Sequence, residues 1–149
     1  MRGYFTALAL GVLLVTSPAL ASPRDQVKSA FTAWTEALST GNAEAITSLY
    51  AKDAVLISTL SDDPITTPEQ RLAYFESIMK LPKLSVRVNE QYLRLMGDNA
   101  AVISGLYTFE YENNGKIFTM PARFTFVFEM DNGRWLIMDQ HSSQMPLAE

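Results

Sequence analysis

The chain has no cysteine and a single histidine, His141, among its 149 residues. The first absence excludes disulfides, thiolate metal sites, iron–sulfur clusters and a cysteine nucleophile. The second excludes any metal centre built from two or three imidazoles, so neither a metal nor a cofactor is expected. Positive charge is scarce too. Twelve Lys and Arg stand against sixteen Asp and Glu, a formal net charge of −4, which is the wrong sign for a nucleic-acid face. Internal repeats and Pro/Gly/Ser-rich linkers are missing beyond residue 24, as is any Asn-x-Ser/Thr sequon. The longest apolar run, Phe5 to Val15, is well short of the ~20 residues a membrane-spanning helix needs. What is present is apolar: 48% of residues are hydrophobic and only 19% charged, which excludes a disordered polypeptide and indicates one acidic, globular domain.

The apolar run has a context. Met1-Arg2-Gly3 gives a short cationic start, and Ala19-Leu20-Ala21 supplies the small-x-small pattern that signal peptidase accepts. Residues 1–21 therefore read as a signal peptide cut after Ala21. The lack of sequons favours a bacterial protein, exported to the periplasm or secreted. Residues 22–149 form the domain.

The first half of that domain reads as helical. Val27, Ala30, Phe31, Trp34 and Leu38 recur at helical spacing, with Ser22 or Asp25 as the cap, Pro23 in the first turn and Gly41 as the stop. Asn42 caps a short second helix carrying Ile46, Leu49 and Tyr50. A strand over Asp53 to Leu60 follows, and then a capping box, Thr67-Pro68-Glu69-Gln70, opens a third helix with Leu72, Phe75, Ile78 and Met79 on one side. The second half alternates. Four strands are expected over Leu84–Met96, Ala101–Tyr111, Ile117–Met130 and Trp135–His141, joined by turns at Gly97-Asp98-Asn99, Asn113-Asn114-Gly115 and Asp131-Asn132-Gly133. Pro121 marks a bulge or an edge position within the third of them. Helices gathered ahead of hairpin-linked strands imply an α+β layer: a curved antiparallel sheet on about three N-terminal helices, a cone with a pocket.

Two stretches carry a family resemblance. Trp34-Thr35-Glu36-Ala37-Leu38 with Gly41-Asn42, then Leu49 to Leu56, resembles the opening of the nuclear transport factor 2-like (cystatin-like, SnoaL-like) superfamily. Ala122 to Phe128, Gly133 to Ile137, His141-Ser142-Ser143 and Met145-Pro146 are similar to bacterial relatives of the calcium/calmodulin-dependent protein kinase II association domain. The resemblance covers residues 25–146 and implies a conical pocket and assembly through the sheet. It does not imply kinase activity, since the chain has no Gly-rich phosphate loop. Many relatives carry two adjacent histidines before the serines, where this chain has Gln140-His141. Arginines from the sheet line the pocket of the kinase association domain, and Tyr107 stands where one of them is expected.

Against that background a few side chains are candidates for a site. Arg123 shares a strand face with Thr119, Thr125 and Glu129; it is either a pocket guanidinium that forks a carboxylate or an exposed strand arginine. If it faces the pocket, alternation places Phe124, Phe126 and Phe128 on the outer face, where a second subunit must cover them. Asp139 and His141 lie two apart, so both share one face. They are either an Asp–His general base or a structural histidine beside serines. Tyr107 and Tyr74 add hydroxyls to the pocket or serve as core and rim aromatics. Two functions remain in view. One is an exported, homo-oligomeric (dimeric or larger) module binding a small carboxylate or other polar molecule. The other is a cofactor-independent lyase, isomerase or hydrolase that uses His141 and Asp139.

Overall fold

The computed structural model describes residues 21–146, so the signal-peptide expectation falls almost wholly outside it. Helix α1 (Pro23–Ser39) starts at Ser22, whose side chain accepts from the Asp25 backbone N–H, and buries Val27, Phe31, Trp34 and Leu38. Gly41 then takes a left-handed turn at φ +72°. Helix α2 (Ala43–Thr47) is capped by Asn42, and α3 (Pro68–Ile78) begins with the expected reciprocal bonds between Thr67 and Gln70. The strands are β1 (Tyr50–Ile57), β2 (Ser85–Leu95), β3 (Ala100–Asn113), β4 (Lys116–Asp131) and β5 (Arg134–Gln144). No described helix is long and apolar enough to cross a membrane.

One five-stranded sheet results, in the order β1-β5-β4-β3-β2. Its last four strands in sequence are antiparallel neighbours, as expected, while β1 joins β5 in parallel. Strand β1 also starts three residues earlier than its composition indicates. Tyr50 already pairs with Ile137, and the chain then bulges before pairing resumes at Val55 with Asp139. The carbonyls freed by that bulge are claimed by Arg71 of α3. Its buried guanidinium donates to Ala54 O at 2.7 Å, Ala51 O at 2.9 Å and Lys52 O at 3.3 Å, and lies 5.1 Å from the centre of the Tyr50 ring. Pro121 sits in regular register with Thr108, and its carbonyl accepts from Met145 N. The missing proline N–H therefore faces the point where β5 stops, which is how a proline fits inside a long strand.

The expected faces of the sheet are reversed. Phe124, Phe126 and Phe128 turn inward, at 3%, 0% and 0% exposure, and form the floor of the core rather than an intersubunit surface. Phe31 meets Phe124 at 5.1 Å and Phe126 at 5.2 Å between ring centres, and Trp34 meets Phe126 at 4.9 Å. Alternation along β4 then turns Arg123, Thr125 and Glu129 outward. Burying a phenylalanine is favourable by ~1.5–3 kcal/mol, and three together against an aromatic helix face outweigh a placement that would bury a guanidinium without a partner.

A second constraint lies between β2 and β3. Their register shifts between Val88 and Glu90, which leaves Asn89 as the extra residue; its side chain accepts from Thr108 Oγ1 at 3.0 Å. The bulge presses against Gly105, where a Cβ would lie 2.0 Å from the Glu90 carbonyl oxygen. Only glycine fits there.

The face assignment yields a direct measurement. Phe126→Ala is expected to cost ~3–5 kcal/mol in a urea melt, as a large deletion in a closed core does. Arg123→Ala should stay within ~0.5 kcal/mol of wild type, the ordinary range for a surface substitution.

Candidate functional site

Between the helices and the inner face of the sheet lies a cavity of about 460 Å³. Trp34 and Leu38 of α1, Tyr74 and Ile78 of α3, Phe109 of β3 and Phe118 of β4 supply most of its apolar wall. Among the described residues, no charged side chain lines it. Leu60 and Phe118, at 54% and 43% exposure, mark an apolar mouth.

Polar groups run along one wall. Just past the end of β1, Ser58 Oγ lies 2.5 Å from the Tyr74 hydroxyl, and Thr59 Oγ1 lies 3.2 Å from Ser142 Oγ. Deeper in, Trp34 Nε1 donates to the Tyr50 hydroxyl at 2.8 Å, and that hydroxyl donates in a short bond to Gln140 Oε1. The Tyr107 hydroxyl, flanked by Gln140 and Ser142, is buried without a hydrogen-bond partner. Burial pushes the Tyr107 phenol far above its ordinary value, with Ser142 and Gln140 opposing the shift. The Tyr50 phenol is raised well above its usual range for the same reason, opposed by Trp34. Tyr74 is raised less, with Ser58 opposing. At neutral pH these phenols are protonated.

The expected site residues divide between the two faces of the sheet. Tyr74 lines the cavity, whereas Tyr107 lies behind the wall, against Gln140 and Ser142. Arg123, Asp139 and His141 do not reach it. Arg123 is exposed and donates weakly to the Gln144 carbonyl at 3.4 Å. Asp139 and His141 pair across the sheet with Val127 and Thr125, exposed on the outer face, and form no ion pair with each other. The acid–base dyad and the carboxylate fork are thus both outside the cone. The cause is a bulge in β5. Val127 pairs with Asp139 but Phe128 pairs with Ile137, so Met138 is an extra residue and alternation resets there. Strict counting from the buried Trp135 and Ile137 sends Asp139 and His141 inward. The bulge sends Gln140 and Ser142 inward instead.

Sequence reasoning missed Gln140, Ser58 and Ser142 as cavity residues, and Arg71 as a buried one. Only the position of Gln140, where many relatives of the resembled family carry a histidine, gave a signal. Among the described residues, no group of three or more histidines or carboxylates is placed to hold a metal ion.

With this geometry in hand, comparison with known proteins is informative. A family model described as the calcium/calmodulin dependent protein kinase II association domain matches residues 24–146. No curated protein matches the chain significantly. Among solved structures, the chain is similar to a protein from Xanthomonas campestris provisionally assigned as a calcium/calmodulin dependent protein kinase II association domain. That match is 38% identical with a TM-score of 0.78, and it covers 91% of this chain and 100% of that one. A provisionally assigned dehydratase of the nuclear transport factor 2-like family from Streptomyces avermitilis matches at 16% identity and TM-score 0.75, over 84% of this chain and 98% of that one. The kinase II hub homology domain of Chlamydomonas reinhardtii matches at 20% identity and TM-score 0.69, over 84% of this chain and 100% of that one. These last two speak for the fold alone.

The buried phenols carry a consequence for pH. Unfolded tyrosines ionise near pH ~10, while the folded ones keep their protons to higher pH. Between those limits the unfolded state binds fewer protons, so stability is whole below pH ~10 and falls as pH rises beyond it. Urea melts at about pH 8 and about pH 11 should show the midpoint dropping, and Tyr107→Phe should reduce the drop.

Proposed function

Since the chain belongs to the calcium/calmodulin dependent protein kinase II association domain family, we propose that it is a self-associating module whose cavity binds a small uncharged molecule. The observation that carries this reading is the cavity lining, which is apolar with a polar seam and, among the described residues, has no charged side chain. A carboxylate entering it would leave water without meeting a cation, a cost that the expected arginine was to offset. A neutral ligand with an apolar body loses little and covers aromatic surface. We further propose that the chain acts after export, with the leader over residues 1–21 ending immediately before the Ser22 cap of α1.

Self-association is supported by the family and by the outer face of the sheet. Ile57, Tyr92 and Met96 are 46%, 65% and 56% exposed, and Val102, Leu106 and Val127 are half-buried on the same face, interspersed with Ser104, Arg123, Thr125, Asp139 and His141. Exposed apolar side chains set among polar ones are the composition of an intersubunit sheet face, and a second copy of the same face can meet it about a two-fold axis.

Both halves of the proposal have a measurement. N-phenyl-1-naphthylamine, a neutral probe that brightens in apolar surroundings, should bind wild type with one site per chain. Ile78→Trp, which projects an indole into the cavity, should weaken that binding at least about tenfold. Equal binding by the variant would place the probe elsewhere and overturn the cavity reading. Light scattering should find wild type as a dimer or larger, and Val127→Asp should yield a folded monomer. A wild type that is monomeric at high micromolar concentration contradicts the assembly.

A further inference from the structure

The inner end of the cavity has a hydrogen-bonding polarity that can be read from one side chain. Trp34 Nε1–H can only donate, so the Tyr50 oxygen must accept from it. The single Tyr50 proton then goes to Gln140, and the atom receiving it has to be the amide oxygen. A donor-only indole at one end of the relay therefore fixes the Gln140 amide at the other. Oε1 is occupied and Nε2, with its two protons, turns away from Tyr50. Nε2 has no acceptor among the described residues, and Gln140 lines the cavity.

The Tyr107 hydroxyl adds to the same imbalance. It is buried, unpartnered, and flanked by Gln140 and Ser142. Gln140 Nε2 and Tyr107 together bring three protons, and none of them meets an acceptor at hydrogen-bond geometry among the described residues. Even if the phenol oxygen takes one N–H and Ser142 takes another proton, a donor remains for the cavity. An unmet buried donor is costly, so the site is complementary to an acceptor. With no cation to neutralise a charge, that acceptor is uncharged.

Resting on the reading of the cavity as a binding site for a neutral molecule, we infer that its ligand is a small carbonyl compound. The ketone, ester, lactone or amide oxygen sits against Gln140 Nε2, the donor on the cavity wall; the Tyr107 hydroxyl lies sealed behind that wall. The apolar body extends past Trp34 and Phe109 toward the mouth at Leu60 and Phe118. Arg123 and His141 take no part.

Three probes of nearly one shape test this: 2-acetylnaphthalene, 2-ethylnaphthalene and 2-naphthoate, titrated into wild type, Tyr107→Phe and Gln140→Met. Tyr107→Phe removes a hydroxyl with no protein partner, so it keeps the fold even if Gln140→Met weakens it; thermal melts verify both. Gln140→Met is expected to weaken the ketone by about three- to tenfold and leave the hydrocarbon unchanged, the loss of one net hydrogen bond. Tyr107→Phe, which removes a hydroxyl behind the wall, is expected to leave both neutral probes unchanged. Naphthoate should bind wild type at least about tenfold more weakly than the ketone. If the hydrocarbon binds but Gln140→Met does not alter the ketone, or weakens the two neutral probes equally, the carbonyl assignment is wrong and the neutral cavity stands. If naphthoate binds best, or neither neutral probe binds, the neutral cavity itself is wrong.

Discussion

The contact on which the rest of the fold depends is the aromatic seam between α1 and β4. Phe31 and Trp34 meet Phe124 and Phe126 at centre-to-centre distances near 5 Å. Because alternate residues of a strand face opposite ways, committing those phenylalanines inward determines the direction of every other β4 side chain. The ladder then passes that choice to β3 and β5. Trp34 belongs to the seam and to the polar relay at once: its ring is packed against the sheet while its N–H starts the chain through Tyr50 to Gln140. Hydrophobic packing thereby orients a hydrogen-bond network, and the network sets what the cavity offers.

Much of the fold was legible in the sequence because its signals are local. The Ser22 and Asn42 caps, the Thr67/Gln70 box and the Asn-Gly hairpin all depend on residues within a few positions of one another. The family resemblance was legible too. Which face of the sheet is buried was not, because the parity argument for β4 needs one anchor, and the anchor chosen was Arg123. A row of three phenylalanines facing an aromatic helix stripe was the stronger anchor on energetic grounds.

The site was harder to read, for a different reason. An extra residue at Met138 reverses alternation within β5, and nothing about Leu136-Ile137-Met138-Asp139 announces it. Counting by twos therefore selects the chemically conspicuous Asp139 and His141 and passes over the neutral Gln140 and Ser142. The positions at which this chain departs from the resembled family, Tyr107 and Gln140, meet at the cavity wall, Gln140 in it and Tyr107 behind it. Both are uncharged where charge or titration was expected, so the departures change one property of the site together. Arg71 was illegible for a third reason. Its partners are backbone carbonyls exposed by a bulge, and backbone irregularity has no residue type of its own.

The bulges also bear on how copies of this chain meet. An open sheet has two borders whose unpaired N–H and C=O groups invite another strand, the route to indefinite stacking and fibrils. Here both borders are spoiled. Along β1, Arg71 occupies the carbonyls of the irregular stretch, and Leu56 exchanges both its backbone bonds with Ile65. Along β2, Asn89 breaks the repeat, and Arg87, Glu90 and Arg94 place charge along the rim. Strand-by-strand growth is hindered on both sides. The same irregularities that hid the site from sequence counting thus also guard the borders of the sheet.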